Sequence, residues 1–142
     1  MKNNYFLVYS SCLLLISIVY FFLNFDFKNW KNYKLILVFL LLINLIISIL
    51  FWKDAKYKST MHKLDGLFAK LSFIFFVTYI LFIKNNCPKI QKIILLIISI
   101  ITLLLFYLSN KYSKQEWCSR KHVIVHCIFH LFIMTGSLIT LM

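Results

Sequence analysis

The sequence predicts an all-α fold, an integral membrane bundle of about five transmembrane helices, and three observations carry that prediction. Apolar residues make up 62% of the chain and charged ones 14%, more apolar surface than a soluble domain of 142 residues can hide in its interior. The charges fall in clusters separated by uncharged runs. Those runs have the length that crosses a bilayer core, roughly 20 residues at about 1.5 Å rise for about 30 Å. Helix breakers are scarce, with two glycines and one proline.

The first helix is expected over about residues 5–25, and Trp30 beside Lys28 and Lys31 reads as an interfacial anchor. Lys2 gives this run the look of a secretory leader. It has no small-x-small cleavage site, so it is expected to stay as a helix. The second helix covers about residues 35–52, with no charge between Lys34 and Lys53, and a basic loop from Lys53 to Ser59 follows. The third is expected over 64–83. Its uncharged part, 71–83, is too short to span alone, so it must draw in 64–70, bringing Asp65 to or below the interface. Asn85, Asn86 and Cys87 form a turn before Pro88 at the start of the fourth helix, about 91–109. The fifth runs over 122–142. There is no repeat and no low-complexity linker, so residues 1–142 form a single transmembrane domain.

Five spans put the N-terminus and the loops at 53–63 and 111–121 on one face, which carries ten Lys/Arg against six on the other. The positive-inside rule then puts the N-terminus in the cytosol and the C-terminus outside or in a lumen. The net charge of +12 comes from fifteen lysines and one arginine. They flank helices and lack a solvated basic stripe interleaved with aromatics, which speaks for lipid phosphates and against nucleic acid. The abundance of Lys, Asn and Ile also fits an AT-rich genome. Cys12, Cys87, Cys118 and Cys127 form no CxxC pair, and Cys87 and Cys118 are expected on opposite faces, so four thiols and no disulfide framework are expected.

Ionisable groups at membrane depth are costly and count as candidate site residues. His122, His126 and His130 are spaced by four on one helix, which stacks them on one face. His126 and His130 lie about 8 and 14 Å inside the helix start. Two imidazoles at i and i+4 can share one metal ion, as in HExxH zinc sites. A hydrogen-bonded structural pair and haem ligation are the other readings, and His122 beside Lys121 reads as a headgroup contact. Ser48 near the end of the second helix, and His62 and Asp65 opening the third, belong to the same half of the bilayer. Ser48, His62, Asp65, His126 and His130 can therefore converge there. Singly, Ser48 also reads as back-bonding to Asn44, and His62 with Asp65 as helix-start capping.

These residues resemble a family. Val125-His126-Cys127-Ile128-Phe129-His130-Leu131 is similar to the H-x-x-W-H segment in the last helix of the CREST superfamily of membrane hydrolases. That group takes in alkaline ceramidases, progestin and adipoQ receptors, post-GPI-attachment lipid-remodelling proteins and the transmembrane-protein-8 and myomaker group. Ile133-Met134-Thr135-Gly136-Ser137 looks most like the last of these. Ser48-Ile49-Leu50-Phe51-Trp52 is similar to the family's S-x-x-[FY]-H, and Lys63-Leu64-Asp65 with Ala69 to its aspartate segment. The likeness covers about fifty residues. It implies a zinc ion held by histidines, His126 and His130 among them, with Ser48 and Asp65 around its water as catalytic groups. Trp52 stands where the family has its third histidine, and five helices replace seven. His62, one turn before Asp65, is the remaining candidate ligand, since His122 lies about 12 Å along the axis from His130.

Two functions follow as expectations. One is a zinc-dependent lipid amidase or esterase, its substrate entering sideways from the membrane. The other is a non-catalytic scaffold, fusion or lipid-binding protein derived from that fold. A membrane lipid is the expected partner in both, and a homo-oligomer is compatible with either.

Overall fold

The computed structural model describes residues 4–25, 33–84 and 88–142, and all the regular structure in them is helical. Five spans are long and apolar enough to cross a membrane, the architecture of a multi-pass membrane protein. Trp30, Cys87 and the turn at residues 85–87 lie outside the described residues.

The first span is two helices, α1 (Asn4–Ser11) and α2 (Leu14–Leu23). The break has a local cause. The hydroxyls of Ser10 and Ser11 both donate to the carbonyl of Leu7, at 3.0 and 2.8 Å, and serines bonding back this way bend helices. Beyond them the ladder tightens to i→i−3 bonds, Leu13 to Ser10 and Leu15 to Cys12. The second span is α3 (Tyr33–Lys53). The third is α4 (Thr60–Thr78), closed by a π-turn at Tyr79–Ile83 in which Lys84 N–H reaches back to Tyr79 O at 2.9 Å. The π-turn buries Tyr79 and Ile80. The fourth span, α5 (Lys89–Gln115), starts directly after Pro88 and runs six residues past the expected end at 109. The last is α6 (Arg120–Leu141).

Packing pairs α3 with α4 and α5 with α6, and α1 and α2 lie across α3 and α6. One core cluster joins Leu14, Ile18, Leu37, Leu41 and Tyr79. The second gathers Leu7, Phe51, Trp52 and Val123, with Trp117 against them. At the far end the last carbonyls of α6 are met by donors from elsewhere: Lys34 Nζ on Leu141 O, Lys84 Nζ on Thr140 O and Gln91 Nε2 on Ile139 O. Cationic donors there answer both the orphan carbonyls and the negative end of the helix dipole. By contrast α4 and α5 meet chiefly through the π-turn. The bundle is therefore loosest between them.

Candidate functional site

The antiparallel pair α3 and α4 brings Ser48 to Asp65, and the Ser48 hydroxyl donates to Asp65 Oδ1. Ser48 thus bonds across the helices and not back to Asn44. Deeper in the bundle Asn44 donates to Leu40 O and to Ser72 Oγ, a second rung between the same helices. Sequence reasoning passed over that rung, although an amide in the middle of an uncharged run was a signal for it.

On α6 the rings of His126 and His130 lie 4.6 Å apart between centroids. Each is fixed through Nδ1 by a serine of another helix. His126 pairs with Ser109 of α5 at 2.8 Å, and His130 with Ser10 of α1 at 2.8 Å. Ser10 has one hydroxyl hydrogen and two acceptors within reach, Leu7 O at 3.0 Å and His130 Nδ1, so the ring tautomer sets which of them it serves. Ser10 and Ser109 were not among the expected site residues.

His62 and His122 have the opposite arrangement. Each is the third residue after a serine cap, in Ser59-Thr60-Met61-His62 and Ser119-Arg120-Lys121-His122. The backbone N–H of each histidine donates to its serine, Ser59 or Ser119. Each Nδ1 accepts from the backbone N–H of a residue in left-handed conformation, Lys58 at 3.1 Å and Cys118 at 3.3 Å. This is a variant of the capping box, with histidine in the place of Glu or Gln and its ring reaching the N–H of the residue before the cap. A backbone N–H only donates, so the ring proton of both histidines is on Nε2. His122 was expected at the outer surface beside Lys121, and this geometry turns its ring inward to the space under the loops. It is 2% exposed, with Trp52 and Trp117 at 6.0 and 5.2 Å between centroids.

Trp52 fills the space where a third histidine was expected. Its ring is 4.9 Å from that of His126 and stacks on Trp117 at 5.7 Å. It is 2% exposed, and its indole nitrogen has no hydrogen-bond partner among the described residues. Trp117, in contrast, donates to Ala55 O at 3.1 Å and so ties the two loops together.

Two hollows meet at this cluster. One is a mainly apolar cavity of about 490 Å³ between α3, α4, α5 and α6, with Ser48, Asp65, His126 and His130 at its polar end. The other is a vestibule of about 550 Å³ under the loops, lined by Trp52, His62, His122 and lysines. Asp65, Gly66, Lys70, Phe106 and His126 border both. Ile74 of α4 and Leu103 of α5 line the apolar cavity while remaining 59% and 51% exposed on the outer surface. The cavity therefore reaches the lipid-facing side between α4 and α5.

The convergence of Ser48, Asp65, His126 and His130 on one cavity is present. The three-histidine zinc set of His62, His126 and His130 is not. His62 is held by its cap and stacks on Phe51 at 5.0 Å, with its Nδ1 lone pair already used. Among the described residues no group of three His, Cys, Asp or Glu side chains is gathered for a metal ion. An unpartnered indole N–H, which can only donate, sits where a ligand nitrogen would be needed. A catalytic zinc with three protein ligands would need a further ligand beside His126 and His130.

The chain matches no family model, no curated protein and no solved structure.

Proposed function

We propose that this multi-pass protein takes a membrane lipid into its bundle and holds it without cleaving it. The observation that carries this reading is the apolar cavity open between α4 and α5 with a polar cluster at one end. Its volume is within the roughly 300–1,000 Å³ of small-ligand sites, and an apolar lining with a few convergent polar groups is what such sites share.

An acyl chain entering from lipid moves from one hydrocarbon surrounding to another, so burial of the chain contributes little. Retention and selectivity then rest on the polar end. The His130 ring offers its second nitrogen to a hydroxyl or amide of the lipid, and Asp65, held by Ser48, offers its remaining oxygen lone pairs. The helices of one chain line the cavity, so a second copy is not required.

The hydrolase implied by the resemblance to the CREST superfamily requires a further metal ligand. Trp52 at that position favours the non-catalytic branch. In this reading the N-terminus, the loop around Lys58 and the loop between α5 and α6 are cytosolic and the C-terminus is outside or lumenal, as the lysine count directs.

The test is lipid extraction from protein purified in mild detergent, with quantitative mass spectrometry. The expected result is a stoichiometric co-purified lipid that is lost in Ser99→Phe, where a ring enters the cavity at a serine bonded only to its own helix. Wild-type protein carrying no lipid above the level of an unrelated membrane protein overturns the reading.

A further inference from the structure

The geometry points to the vestibule as an anion-binding site that receives the phosphate of a lipid headgroup, with its acyl chain in the adjoining cavity. The inference rests on the lipid-holding reading for the chain, but its donors Trp52, His62, His122, Lys58 and Lys63 line the vestibule and not the apolar cavity. Three kinds of donor meet there.

The first is Trp52, buried and lining the vestibule, whose indole N–H has no partner among the described residues. A buried N–H without an acceptor is costly, and the group that satisfies it must bring a lone pair. The second is the pair of histidines. Because Lys58 N–H and Cys118 N–H occupy their Nδ1 atoms, His62 and His122 both carry Nε2–H, and both line the vestibule. They also sit in the first turns of α4 and α6, so the N-terminal ends of two helices of 19 and 22 residues border the same space, each with a positive dipole end. The third is charge. Lys58, Lys63 and Lys70 line the vestibule against one carboxylate, Asp65, which is bonded to Ser48.

This donor set suits a compact oxyanion and rejects a cation. The carboxylate borders both hollows, so the anion is placed toward Trp52 and the lysines and the chain passes Asp65 into the cavity. Phosphate fits better than a lone carboxylate because several terminal oxygens can engage separate donors at once.

Binding is measured on the full chain in detergent with three probes: oleoyl lysophosphatidic acid, monooleoylglycerol and inorganic phosphate. The first two share one acyl chain and differ in the phosphate. Lysophosphatidic acid is expected to bind at least about tenfold more tightly than monooleoylglycerol. Trp52→Phe, which keeps an aromatic ring and removes the donor, is expected to weaken lysophosphatidic acid by about tenfold and leave monooleoylglycerol unchanged. Lys63→Gln, at an exposed position that does not threaten folding, should narrow the same preference. Inorganic phosphate that binds as tightly as the lipid supports the anion site and identifies free phosphate as its occupant. Equal binding of the two lipids, untouched by both variants, overturns the anion site and leaves the lipid cavity standing. Failure of both lipids to bind overturns the cavity reading with it.

Discussion

The pair Ser48–Asp65 gives the sharpest energetic prediction. Ser48 is 7% exposed, and its hydroxyl is the side-chain donor found for Asp65. Hydrogen bonds to charged groups contribute about 1.5–3 kcal/mol, and stranding one buried partner costs its desolvation as well. Ser48→Ala removes the donor and leaves the acid, so it should destabilise the fold by about 2 kcal/mol. Asp65→Ala should cost less. It removes the acid that needs solvation, and the serine left behind can bond back to the carbonyl of Asn44. In the Asp65→Ala background Ser48→Ala should then cost close to nothing, giving a coupling of about 2 kcal/mol in the double-mutant cycle. The assay is reversible unfolding of the four proteins in mixed micelles, followed by far-UV circular dichroism. Additive single effects, with coupling below about 0.5 kcal/mol, would refute a direct bond between these residues.

Trp52→His should convert the cluster into a metal site: the apo variant loses about 2–4 kcal/mol of packing, and zinc at a thousandfold excess over its Kd restores about 4 kcal/mol. Wild-type protein should show neither a zinc-induced nor a chelator-induced shift in melting temperature, and a clear shift would contradict the reading of Trp52. Glycosylation-site mapping should report the loop between α5 and α6 as cytosolic and a C-terminal tag as outside or lumenal; both termini on one side would mean an even number of crossings. Ser10→Ala leaves Nδ1 of buried His130 without its serine partner and should destabilise by about 1–3 kcal/mol, more than Ser99→Ala, whose hydroxyl bonds only its own helix.

Much of the fold was legible because uncharged runs of membrane length and sparse breakers leave few alternatives. The number of spans follows from that pattern alone, and the placement of Ser48 beside Asp65 from the alternation of helix directions. The ends were less legible. Hydropathy marks where lipid contact stops, whereas α5 continues to Gln115 because its polar last turns still form a helix. The third span starts at Thr60, four residues early, because Ser59 caps it. That same cap turned His62 from an expected ligand into a structural acceptor for the loop. The Ser-x-x-His pattern occurs twice in the sequence and was the available signal. Ser10 and Ser109 were hidden for another reason. A serine in an apolar helix commonly bonds back to its own backbone, and only the packing of α1 and α5 on α6 decides that these two meet histidines. His122 was misplaced at the interface because neighbouring Lys121 suggests water, while the stacked rings of Trp52 and Trp117 cover it.

The most direct test of a lipid held inside the bundle is photolabelling of the protein in vesicles with a lipid whose acyl chain ends in a diazirine, followed by peptide mapping. Ile98 and Phe73 line the cavity, whereas Ile97 and Ile100 belong to the exposed apolar surface of α5. An occupied cavity predicts label concentrated at Ile98 and Phe73 and competed away by excess unlabelled lipid. Label confined to outward positions such as Ile97 and Ile100, and insensitive to competitor, would show that lipid only bathes the bundle and would contradict the account.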